Sequence, residues 1–240
     1  MTTTSPAPEP AFAVTPRRAG EPEADLMSFS LIHRALRSGT RQLADAATGI
    51  AEGAPCPRDR QRAIVGMALS VLHEITNHHQ REDDVLWPVI CASVLGSDDG
   101  AGTAVELADL SDDHVELHAV IGRAERALPS FARDPRTGAA EFGAVMTEMA
   151  DLLDEHITEE EREVFPVIRA HVSAADFEHC EALFRKGTSI GQLMFLLPWV
   201  ADQCTPAERA ELLASAGRPL VLLLRLTEER YARRRDLVLG

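Results

Sequence analysis

The stretch His78-His-Gln-Arg-Glu82-Asp-Asp-Val-Leu-Trp87-Pro88-Val-Ile returns 78 residues later as His156-Ile-Thr-Glu-Glu160-Glu-Arg-Glu-Val-Phe165-Pro166-Val-Ile. In both copies a His is followed by Glu at i+4, an aromatic residue at i+9 and Pro at i+10. An α-helix turns every ~3.6 residues, so i and i+4 lie on one face, one turn apart. Each copy therefore offers an imidazole and a carboxylate to the same region of space. Two such helices facing each other make a metal site, and the repeat predicts a metalloprotein.

Working outward, the repeat extends upstream. His33-Arg-Ala-Leu precedes the first copy by 45 residues, and His114-Val-Glu-Leu precedes the second by 42. Each half is then a helix bearing His, a turn, and a helix bearing His-x-x-x-Glu. Four main helices are expected: about Ala24 to Gly53 with His33, Pro57 to Trp87 with His78 and Glu82, Ala104 to Leu128 with His114 and His118, and Gly138 to Phe165 with His156 and Glu160. Pro88 and Pro166 fall where a proline stops or kinks a helix. The connections Glu52-Gly-Ala-Pro, Gly96-Ser-Asp-Asp-Gly-Ala-Gly and Arg133-Asp-Pro-Arg-Thr-Gly are turn-forming. No segment alternates polar and apolar residues for long, so no sheet is expected. The predicted fold is all-α, an up-down-up-down four-helix bundle over residues 26–173.

Residues 1–25, rich in Pro, Thr, Ala and Glu, read as a disordered tail. Residues 174–240 read as a helical C-terminal extension. It holds an amphipathic helix over 175–186, the apolar segment Ile190–Val200, a helix started by Pro206, the apolar run from Pro219 and a basic end at Arg230–Arg235. Its apolar faces are expected to pack on the bundle or on a second copy of the chain, which makes a homo-oligomer one expectation. The arginine cluster reads as cations complementing a helix C-terminus.

The 240 residues carry 24 basic and 38 acidic side chains, a net charge of −14. That balance repels nucleic acid and anionic lipid. The four cysteines, Cys56, Cys91, Cys180 and Cys204, form no Cys-x-x-Cys pair, which argues against a zinc ribbon or an iron–sulfur cluster and suits a reducing cytoplasm. The N-terminus lacks the apolar run of a secretory signal, and the uncharged stretch Gly187 to Val200 is too short to span a bilayer.

The candidate ligands are His33, His78, Glu82, His114, His156 and Glu160 from the repeat, with His118 added at i+4 from His114. Neutral imidazole with carboxylate suits iron, manganese or zinc. Seven ligands exceed the needs of one ion and suit two ions bridged by carboxylates. His79 aligns with no histidine in the second copy and reads as a supporting or surface residue. His73-Glu74 begins like a zinc-protease helix, but Asn77 stands where the second His belongs. His171 and His179 read as surface residues, Trp87 and Phe165 as core plugs. In the run Glu159–Glu163 only Glu160 is expected to face inward.

The order His … His-x-x-x-Glu … His-x-x-x-His … His-x-x-x-Glu resembles the hemerythrin-like (HHE cation-binding) family over roughly residues 28–170. The resemblance implies a four-helix bundle around a non-haem di-iron centre with an oxo or hydroxo bridge. It implies that His114, His118 and His156 hold one iron, that His33 and His78 hold the other, and that Glu82 and Glu160 bridge them. The oxygen-carrying members space the last carboxylate five residues after its His, whereas here the spacing is four. The expected small-molecule partners are O2, peroxide or NO, with an organic substrate beside them. Three classes stay open: an oxidative enzyme, a reversible O2/NO carrier or sensor, and an iron-binding protein without turnover. The carboxylate-rich pattern and the added C-terminal residues favour the first.

Overall fold

The computed structural model describes residues 9–95, 97 and 100–240, apart from the side chains of Ala101, Ala104, Val105 and Glu106. Gly96, Asp98 and Asp99 of the expected second connection lie outside the described residues, as do residues 1–8 of the expected tail. Among the described residues every regular element is helical. The helices are α1 (Met27–Ala51), α2 (Arg58–Arg81), α3 (Trp87–Ser93), α4 (Gly100–Arg133), α5 (Pro135–His171), α6 (Ala174–Arg185), α7 (Ile190–Ala201), α8 (Pro206–Ser215) and α9 (Arg218–Leu239). A π-helical turn, Glu82–Leu86, joins α2 to α3.

The four expected helices are α1, α2, α4 and α5, but the prolines do not end them where the sequence suggested. Pro166 lies inside α5, which continues to His171. The proline removes one backbone donor, yet buried Val164, Phe165, Ile168 and Val172 carry the apolar stripe past it, and tertiary burial outweighs one lost bond. Pro88 sits in the first turn of α3. It follows the widened π turn, in which the Trp87 N–H donates to the Glu82 carbonyl five residues back.

Contacts divide the chain into two compact units. The larger comprises Met27–Ile75, Glu116–Asp154 and Thr188–Gly240. In it α1 runs antiparallel to α5: the Arg37 guanidinium lies 2.7 Å from Asp154, and that of Arg41, one turn on, 2.7 Å from Asp151, which is nearly one turn back. The Gln61 amide of α2 donates to the Ala132 carbonyl of α4 at 2.8 Å, and Arg123 of α4 pairs with Glu148 of α5. Leu31, Leu36, Leu43, Ile64, Met67, Phe131 and Phe142 fill the interior at 1% exposure or less. Asp134 alone separates α4 from α5, and Gly138 permits so tight a turn, because a Cβ there would lie 2.3 Å from the Phe131 nitrogen.

The C-terminal helices pack on the same unit. α7 lies against α1 and α9, and Trp199 of α7 is fully buried over Gly39 of α1. A capping box at Thr205 and Glu208 starts α8. Glu208 also takes the Arg34 guanidinium at 2.5 Å, which with the cap holds its carboxyl down at about 2. The arginine cluster is not at the end of its helix, as the sequence had suggested, because α9 continues to Leu239.

The smaller unit comprises the described residues up to Leu26 and those of Thr76–Val115 and Glu155–Gly187. It contains the end of α2, the π turn, α3, the start of α4, the end of α5, and α6. Residues 9–25 form no helix, but the Thr15 N–H donates to Asp176 at 2.8 Å and the Arg17 N–H to the His171 carbonyl at 2.8 Å. Among the described residues no helix is long and apolar enough to cross a membrane.

Candidate metal centre

The last turn of α2 delivers His78 and His79, and the π turn delivers Glu82 and Asp83. Successive helical residues are about 100° apart. His78 at i−4 and His79 at i−3 therefore flank Glu82 from either side on one face. The end of α2 faces the start of α4, which brings His114, and the end of α5, which brings His156 and Glu160. All six of the residues His78, His79, Glu82, His114, His156 and Glu160 are buried.

They form two groups that share Glu82. In the first, one ligand atom from each of His79, Glu82, His114 and His156 lies within 4.8 Å of every other. The Nε2 atoms of His114 and His156 are 3.2 Å apart, and His114 Nε2 is 3.5 Å from a Glu82 oxygen. Two nitrogens held at ordinary metal–imidazole distances with tetrahedral or octahedral angles are about 3.0–3.4 Å apart, so that spacing suits one ion. His79 stacks on His114 with ring centroids 4.3 Å apart and meets His156 edge-on at 5.2 Å. In the second group, His78, Glu82 and Glu160 likewise lie within 4.8 Å of one another. His78 Nε2 is 2.9 Å from Glu82.

Burial, then the Glu160 charge, then that of Asp83, push the Glu82 carboxyl well above its ordinary range. A carboxyl enclosed beside a second carboxylate is disfavoured in its charged form. A divalent cation between them removes that penalty and uses the imidazole lone pairs as well. No cysteine joins either group, and burial pushes all four thiols upward, Cys180 to about 12. The donors are thus the nitrogen and oxygen set that suits a hard or borderline cation.

Two further carboxylates stand behind the imidazoles. Asp83 Oδ2 is 3.0 Å from His114 Nδ1, and its other oxygen accepts from the Ser111 hydroxyl at 2.9 Å. Asp113 lies 3.6 Å from His156 Nδ1. A carboxylate hydrogen-bonded at the outer nitrogen, as Asp83 is at His114, fixes the tautomer whose Nε2 lone pair points inward. The Trp87 ring runs nearly parallel to that of His114, centroids 6.3 Å apart, so this core residue also walls the site.

Of the seven expected ligands, His78, Glu82, His114, His156 and Glu160 are brought together in this unit. His33 lies in the larger unit, on α1, fully buried and tilted against Phe29. His118 departs from expectation. It is exposed on α4 and belongs to neither group. The buried stripe of α4 runs Leu107, Leu110, His114, Leu117, Ile121, and an i+4 step from His114 falls just outside it. His79 departs in the opposite sense. It is fully buried and sits in the first group. Its mate in the repeat is Ile157, also fully buried, so the available signal was an inward position filled by His in one copy and Ile in the other.

The family model for the hemerythrin HHE cation binding domain matches residues 29–168. That span covers more than half of the chain and holds every residue of both groups; the chain belongs to the hemerythrin HHE cation-binding family. The family binds metal cations, and the buried His/Glu groups are where this chain can hold them. No curated protein and no solved structure matches the chain.

Proposed function

We propose that the protein holds two iron ions and activates O2 or peroxide with them, as an oxidase or a catalase/peroxidase-like enzyme. One observation carries the reading: Glu82 belongs to both ligand groups, the position of a bridging carboxylate. His79, His114 and His156 would complete one ion's ligands. His78 and Glu160 would complete the other's, with His33 added by the sequence repeat. When bound, a pair of irons supplies reversible electron transfer beside an open position for a small oxidant. The residues of the chain supply the rest. Asp83 would keep the His114 proton on Nδ1, Asp113 adds a carboxylate near His156, and Trp87 covers an edge of the first group from water.

The enzymatic reading is supported by the number of carboxylates, which suits oxidative chemistry better than trapping oxygen unchanged. Reversible O2 or NO binding, and iron binding without turnover, are the competing readings. Manganese or zinc would accept the same donors.

The test is purification in air with metal analysis and an optical spectrum. Two irons per chain with the near-ultraviolet absorption of a bridged ferric pair support the centre; one ion or none refutes it. Peroxide then separates the classes. Oxygen evolution identifies a catalase-like cycle, whereas a stable adduct identifies a carrier or sensor. Loss of peroxide without oxygen release, driven by an added reductant, identifies a peroxidase.

A further inference from the structure

A cavity of about 250 Å³ opens in the larger unit, and no histidine is among its lining residues. Four of its residues, Thr227, Arg230, Tyr231 and Arg234, lie at i, i+3, i+4 and i+7 of α9, which is one helical face. Met194 and Phe195 of α7 line it on the apolar side. No acidic side chain is among its lining residues.

Three groups in it have donors to spare. Tyr231 is 7% exposed, and its hydroxyl is buried without a hydrogen-bond partner. A buried hydroxyl with no acceptor is costly, so such an atom points to something that completes it. The neighbouring arginines of α9 are paired, Arg233 with Glu229 and Arg235 with Asp202 and Asp236. Among the described residues Arg230 and Arg234 have no carboxylate partner. Arg234 is half-buried, its guanidinium carbon 3.6 Å from where a Cβ of Gly66 would stand, so this glycine of α2 makes room for it. Burial and then the charge of Arg230 lower its pKa, the mark of two cations brought together without an anion. The Ser70 and Thr227 hydroxyls already donate to the Gly66 and Leu223 carbonyls, which leaves Tyr231 as the neutral donor.

We propose that this cavity binds a small organic carboxylate, with its oxyanion between Arg230, Arg234 and the Tyr231 hydroxyl and its apolar body against Met194 and Phe195. Guanidinium donors match the two oxygens of a carboxylate. The volume equals roughly eight water molecules, enough for a single ring or a short chain. Phe195 and the Tyr231 ring, centroids 6.2 Å apart in an edge arrangement, give that body an aromatic wall.

The test titrates the full chain, with its metal content measured beforehand, against benzoate, hexanoate, benzyl alcohol and inorganic phosphate by calorimetry. At least one of the two carboxylates is expected to bind saturably at one per chain. Benzyl alcohol, which has no charge, and phosphate, which has no apolar body, are each expected to bind about tenfold weaker or less. Arg234→Gln and Arg230→Gln are each expected to cost about tenfold, Tyr231→Phe several-fold, and Arg233→Gln nothing, with helicity by circular dichroism unchanged in all four. Failure of both carboxylates to saturate below about 10 mM overturns the proposal. So does equal binding of benzyl alcohol, tighter binding of phosphate, or an Arg234→Gln variant that binds as well as the parent. None of these outcomes depends on the metal, so the two proposals fail separately.

Discussion

Asp83 reaches the outer nitrogen of His114 at 3.0 Å, while that ring's inner nitrogen faces His156 at 3.2 Å. An ionised carboxylate only accepts, so the His114 proton is held on Nδ1 and the inward lone pair stays available. Asp83→Asn preserves shape but offers the ring an amide in its place. The variant is expected to bind metal roughly 10–100-fold more weakly, measured by competition with a chelator, with its helix content intact. Affinity equal to the parent's would reduce Asp83 to a packing role.

His79 is buried among the candidate ligands and His118 is exposed, the reverse of the placement expected from spacing. His79→Ala is expected to lose at least one metal ion per chain, and His118→Ala to keep the full complement. Elemental analysis of the two purified variants decides it, and the reverse pattern would restore the ligand set read from the repeat.

The raised Glu82 pKa predicts a pH dependence of known sign for the metal-free protein. The folded state holds a proton that the unfolded chain gives up. Its stabilising contribution is complete below the ordinary value of 4.5 and fades as pH rises from there through the raised folded value. Thermal stability of the metal-free protein is therefore expected to decline across that window. Glu82→Gln, uncharged throughout, is expected to flatten the slope. Metal affinity carries the opposite sign, because ligands must be deprotonated to bind. Identical melting profiles for parent and Glu82→Gln would contradict this account.

Gly39 reports on how the C-terminal helices seat. A Cβ there would stand 2.9 Å from Trp199 Cζ2 and 3.1 Å from a Val71 methyl. Gly39→Ala gains helix propensity yet overpacks a fully buried indole. The net expectation is a loss of about 1–3 kcal/mol, read as a lower melting temperature with altered Trp199 fluorescence. A more stable variant would mean that α7 can shift away without cost.

Much of the clustering of the candidate ligands was legible because a doubled motif carries its own internal check. Glu160 stands among four other charged residues, yet the repeat singled it out, and it alone of Glu159, Glu160, Glu161 and Glu163 is fully buried. The same check hid His79, since an alignment of two copies is silent where the copies differ. His118 shows the opposite error: i+4 spacing puts two side chains on one side of a helix, but the width of the buried stripe decides whether both face inward. Helix ends were misplaced at Pro166 and Pro88 because local proline chemistry was weighed without the apolar stripe that continues beyond. The arginine-lined cavity was invisible, since nothing in the chain order of α2, α7 and α9 says that they meet.

The π turn breaks the symmetry that the sequence repeat suggests. Glu82, in the π turn, belongs to both ligand groups, whereas its mate Glu160, inside the unbroken α5, belongs to one. A carboxylate common to two buried groups leaves neither independent: whatever charge settles in one alters the field felt in the other.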